Sequence, residues 1–134
     1  MPTALYSHPL CLQHEMGEWH PECPERLRAI MKALEAESFA YLQRIEAPKG
    51  TLRDIERVHA PFYVESIMEN APKSGHVHLD PDTAMNSASW DAALRSVGGI
   101  CAAVDAVVEG KMRNAFCAVR PPGHHAESAQ AMGF

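Results

Sequence analysis

The chain has 134 residues, 46% of them hydrophobic and 22% charged, with a formal net charge of -5. Such a length fits one globular domain that buries about two-thirds of its unfolded surface, and the acidic excess argues against a nucleic-acid partner and favours a substrate that carries positive charge. No apolar run reaches the length of a membrane span, no secretory leader pattern opens the chain, and Cys11, Cys23, Cys101 and Cys117 show no Cys-x-x-Cys spacing, so the expectation is free thiols, a cytoplasmic setting and no membrane partner.

Leu5-Tyr6 opens a brief strand. His8-Pro9 through Pro24 is rich in Pro, His and Gly without periodicity and reads as a long loop, a kind of segment that is often functional in compact domains. Leu27, Ile30, Met31 and Leu34 then recur at helical spacing, with Pro24 near the start. Thr51 and Asp54 form a capping signal for a short second helix that carries Leu52, Ile55 and Val58 toward His59, and a third helix begins at Pro61. Pro72 to Pro81 reads as another loop.

A long helix is expected from about Ser87 to Val108, with Trp90, Leu94, Val97, Ile100, Val104 and Val108 three or four apart and Gly110 placed to end it. Gly98-Gly99 inside that helix costs about 1 kcal/mol per residue relative to Ala, which predicts that another segment approaches closely there. Asn114 to Val119 is the last strand, and Ala115–Val119 is a continuous apolar run typical of a buried parallel strand. Helices interleaved with short apolar strands predict an α/β fold, three-layer αβα with a mainly parallel sheet. So few strands make residues 1–134 the expected N-terminal portion of a single larger domain, incomplete at its C-terminal end, with an exposed sheet edge open to homo-oligomer formation.

The densest chemistry lies in Arg120-Pro121-Pro122-Gly123-His124-His125-Ala126-Glu127, directly after the last strand. Imidazole titrates nearest neutral pH, so two held together can divide proton transfer and charge stabilisation between them. Consecutive strand residues point to opposite faces, so His124 and His125 share a pocket only if the backbone leaves the strand, which Pro121, Pro122 and Gly123 favour. In open α/β sheets, ligands sit beyond the carboxyl ends of strands, where this pair falls. A different metal reading rests on His76-x-His78-x-Asp80-x-Asp82, whose side chains would share one face of an extended strand. His14, His20 and Cys23 fit no zinc knuckle and read as polar loop residues, and His8 and His59 as structural.

The chain resembles the histone deacetylase family, which includes the acetylpolyamine amidohydrolases and has the arginase/deacetylase fold. The resemblance rests on His20-Pro21-Glu22-Cys23-Pro24-Glu25-Arg26-Leu27, Val58-His59 with Tyr63-Val64, Asp80-Pro81-Asp82-Thr83, the Trp90-to-Gly110 helix, and Arg120 to Glu127 closing on Gly133-Phe134. It implies zinc-dependent hydrolysis of an acetylated amine, acetyl-lysine in a peptide or a small acetylpolyamine. Under it, His125 is the general base for water and then the acid for the leaving amine, and His124 supplies mainly electrostatic stabilisation. Phe134 becomes a wall of the substrate tube, and the Gly133 carbonyl lies within reach of the scissile N–H. Arg26 lines an inner cavity, and Asp82 sits on a rim loop that holds the substrate. The family's zinc ligands, an aspartate, a histidine and a second aspartate, are expected beyond Phe134, so the isolated chain is expected to be inactive. The competing expectation is a non-catalytic fragment that binds ligand or self-associates through its open sheet edge.

Overall fold

Alternation along β1 (Thr3–Ser7) creates the two faces on which the fold is built. The computed structural model describes residues 1–134. Leu5 points to one face, where it packs with Cys11, Ala118 and Leu27 of α1 (Pro24–Ala33). Ala4 and Tyr6 point to the other and pack with Ala103 of α4 (Ser89–Val108). Helices therefore cover both faces of one sheet, the expected three-layer arrangement.

The sheet has the order β2-β1-β5, with β2 at Gln43–Glu46 and β5 at Asn114–Cys117. Both flank β1 in parallel, Leu5 standing opposite Arg44 on one side and Phe116 on the other. A shorter antiparallel hairpin pairs β3 (Val77–Asp80) with β4 (Thr83–Met85). The short helix α2 (Leu52–Glu56) starts at a complete capping box, in which the Thr51 side chain accepts from the Asp54 N–H and the Asp54 side chain accepts from the Thr51 N–H. α3 (Pro61–Asn70) follows with Pro at its first position.

The close approach expected at the paired glycines is present. The segment after β2 crosses α4 there, with the Gly50 N–H donating to the Leu94 carbonyl at 2.8 Å. A methyl group at Gly98 would lie 1.9 Å from the Pro48 carbonyl oxygen, and one at Gly99 would lie 3.1 Å from the Ala47 side chain. The helix accepts the local cost of glycine because the crossing segment leaves no room for a β-carbon.

Two expectations need correction, and one strand was not foreseen. The loop expected over Pro72 to Pro81 contains β3, whose partner β4 begins just after Pro81. β2 gave no signal because its residues, Gln-Arg-Ile-Glu, place one apolar side chain among polar ones. The last strand stops at Cys117 and stands at the edge of the sheet, so Phe116 is half exposed rather than buried.

Candidate active site

Past β5 the chain stays beside β1 for one more residue, the Ala118 N–H donating to the Tyr6 carbonyl at 2.8 Å. Arg120 then turns inward and is almost fully buried. Its guanidinium forms a bidentate pair with Glu22, Nε donating to Oε1 at 2.7 Å and Nη2 to Oε2 at 2.5 Å. Its remaining nitrogen, Nη1, donates to the carbonyls of Cys11 and His14 at 2.7 and 2.8 Å. A buried charge is tolerated when it is paired and fully hydrogen-bonded, and this one clamps the long loop of residues 8–23 to the root of the histidine loop.

His124 and His125 follow with ring centroids 4.2 Å apart and ring planes inclined by 48°. Both are exposed. The backbone of Gly133 lies directly against the second ring, where a β-carbon would fall 2.2 Å from the His125 Cβ. Gly133 also has φ +81°, so glycine is required there twice over. Phe134 meets His125 edge to face at 6.4 Å and His20 at 5.1 Å. The far side of the loop is braced by the start of α3: the Ala60 N–H donates to the Ser128 carbonyl and His59 Nδ1 donates to the Glu127 carbonyl, both at 2.9 Å.

Behind the pair opens a broad, mostly apolar cavity of about 1120 Å³, bordered by His14, Arg26, Tyr63, Trp90, His124 and Phe134 among others. His125, Gly133 and Asp82 stand outside its lining. Arg26 reaches Glu22 at 3.6 Å, with its side chain more than half exposed. Asp82 sits in the turn between β3 and β4, accepts a hydrogen bond from His20 Nε2 at 2.9 Å, and is largely exposed.

His14 has the most perturbed environment. Asn86 Oδ1 accepts from Ser89 Oγ, and Ser89 Oγ accepts from the Asn86 N–H, so the Ser89 hydroxyl proton is already committed. The 2.7 Å contact between His14 Nδ1 and Ser89 Oγ therefore has the imidazole as donor. Nε2 is left as a bare acceptor, buried without a partner. Burial first, and then the Arg120 charge, lower the His14 pKa to about 4. Burial also raises the thiols of Cys101 and Cys117 and the Tyr63 phenol, all of which border the cavity, so these groups stay protonated and are poor nucleophiles.

No three His, Cys, Asp or Glu side chains converge on a point where a metal ion could sit. The alternating His76 to Asp82 segment does not gather its side chains: His76 pairs with Glu15 at 2.6 Å, while Asp82 pairs with His20. The tandem histidines, Gly133 and Phe134 do come together. Arg26 borders the same cavity, whereas Asp82 stands outside its lining and joins the group only through His20. Reading from sequence passed over Arg120, Glu22, His14 and His20 as parts of the site. Arg120 and Glu22 are 98 residues apart, a separation at which no local pattern pairs them, although each sits inside one of the motifs that stood out.

Residues 20–134 match the family model described as the histone deacetylase domain. The chain belongs to that family. It is 36% identical over 137 residues to a probable deacetylase of Archaeoglobus fulgidus, covering 100% of this chain and 38% of that protein. It is 34% identical over 150 residues to a histone deacetylase-like amidohydrolase of Pseudomonas aeruginosa, covering 98% of this chain and 39% of that protein. The crystal structure of the HDA15 HD domain superposes with a TM-score of 0.91 at 31% identity, covering 99% of this chain and 39% of the other. The sheet and its covering helices are thus the N-terminal part of a histone deacetylase domain, with the arginase/deacetylase-like αβα architecture, and the chain spans under two-fifths of its relatives' length.

Proposed function

We propose that this chain carries the acid/base half of a deacetylase that hydrolyses an acetylated amine, acetyl-lysine or an acetylpolyamine. The observation that carries the reading is the pair of imidazoles 4.2 Å apart, seated against Gly133 and Phe134 at the edge of an apolar cavity. In this reading His125 accepts a proton from the attacking water and delivers it to the departing amine, so that water and amide become acetate and free amine. His124 stabilises the charge that develops between those steps. Phe134 flanks the aliphatic stem of the substrate, and Asp82 and Arg26 contact its outer and inner ends.

The family implies zinc, and the residues of this chain do not fit it, because they offer no converging ligand set. Zinc is therefore assigned to none of them, and this chain's contribution is proton handling and substrate contact. The test is a chimera in which the chain replaces the matching 137 residues of the Archaeoglobus protein. Turnover of acetyl-lysine peptides or acetylpolyamines by the chimera, dependent on added zinc and absent from the isolated chain, is the expected result. Zinc-dependent turnover by the isolated chain would overturn the division of labour. A chimera that folds and stays inactive on both substrate classes would overturn the activity.

A further inference from the structure

His20 makes two hydrogen bonds that fix which of its nitrogens carries the proton. The backbone N–H of Glu22 points at Nδ1 at 3.0 Å, and a backbone N–H can only donate, so Nδ1 is the bare acceptor. The proton then lies on Nε2, which donates to Asp82 Oδ1 at 2.9 Å. The same ring meets Phe134 at 5.1 Å. Glu22 in turn is held by Arg120, at the root of the tandem-histidine loop. The turn that carries Asp82 is braced from within, the Asp82 N–H donating to Asp80 Oδ1 at 2.7 Å.

We propose that His20 is a positioning residue for substrate: in its Nε2-protonated form it joins Asp82 on the rim to Phe134 on the wall, and aims the second oxygen of Asp82 at the polar end of a bound acetylated amine. The inference rests on the substrate-contacting roles given above to Asp82 and Phe134. His20 itself touches neither the acetyl group nor the reacting atoms. Its carboxylate partner is largely exposed, and an exposed carboxylate on a hairpin turn samples several rotamers unless a neighbour holds it. A held carboxylate recognises an N–H or ammonium at a fixed distance from the acetamide, the shared chemistry of an acetyl-lysine backbone and an acetylated diamine.

Two measurements on the full chain test this. Nitrogen-15 NMR at neutral pH reads the His20 tautomer directly, and the proton is expected on Nε2. Binding is then compared for N-acetylcadaverine, ε-acetyl-lysine N-methylamide with a blocked α-amine, and N-pentylacetamide, which has the same chain without a polar far end. His20→Phe keeps a ring against Phe134 but removes the donor, and is expected to weaken the two polar-ended probes about tenfold, one charge-assisted hydrogen bond, while leaving N-pentylacetamide unchanged. His20→Gln keeps an N–H within reach of Asp82 and is expected to restore most of the loss. Combining His20→Phe with Asp82→Ala should weaken binding no more than Asp82→Ala alone. A preference for only one polar-ended probe identifies its source while supporting the proposal. A proton on Nδ1, an equal loss for all three probes, or no loss in His20→Phe overturns the role of His20 and leaves the deacetylase reading standing. Failure of the unmodified chain to bind any probe overturns the substrate-contacting reading and this inference with it.

Discussion

Acidification from pH 6.5 toward 4 should destabilise this fold through His14. Its folded pKa of about 4 lies below the ordinary 6.5, so between those values the unfolded chain binds a proton that the folded chain refuses. Stability from this group is therefore fully present above pH 6.5 and is lost progressively as the pH falls toward 4. At about 1.4 kcal/mol per pKa unit, the separation corresponds to about 3 kcal/mol. The structural origin is the bare Nε2, which on protonation would become a buried N–H with no acceptor, close to the Arg120 guanidinium. Urea unfolding at a series of pH values between 7.5 and 4.5 measures the effect, with His14→Asn as reference. Asparagine keeps a donor toward Ser89 and does not titrate, and carboxylates common to both proteins cancel in the difference. The variant's curve should lie below the parent's by a constant near neutrality, and the gap should close as the pH falls. Parallel curves across the range would refute the reasoning.

Removing one partner of the buried Arg120–Glu22 pair, as in Glu22→Ala, should cost about 3–5 kcal/mol of unfolding free energy, because an uncompensated charge remains inside; thermal and urea denaturation would register it. Gly98→Ala should destabilise by at least about 1–3 kcal/mol, since the new methyl would collide with the Pro48 carbonyl, whereas Gly123→Ala, with open space around it, should be close to neutral. Thr51→Ala should cost about 1 kcal/mol through loss of the α2 capping box, measured in the same assay.

Much of this fold was legible because its signals are local. Pro24, Thr51 with Asp54, Pro61 and Gly110 each announce a helix boundary within a few residues, and the structure places boundaries near all of them. The Gly98-Gly99 pair pointed correctly to a close crossing, because glycine in a helix interior is costly unless space demands it. The strands were harder. β2 carries little apolar alternation, and β3, Val-His-Leu-Asp, alternates but over only four residues between prolines, so each exists because of its partner: β2 runs beside β1, and β3 is closed by β4 and tied to the long loop by His76 and Glu15. The site divided in the same way. Adjacent histidines beside proline and glycine are visible in one line of sequence, but the network from Arg120 through Glu22 and His20 to Asp82 joins residues up to 98 positions apart, and only folding brings it together.

The acid/base assignment at the histidine pair is tested most directly by comparing His124→Ala with His125→Ala in the zinc-loaded chimera. Positioned proton transfer is worth on the order of 10²–10⁴ in rate. Loss of His125 should lower kcat by at least about a hundredfold, with far less effect on KM, and loss of His124 should cost less. Equal, small losses in both variants, or a larger loss at His124, would contradict the assignment.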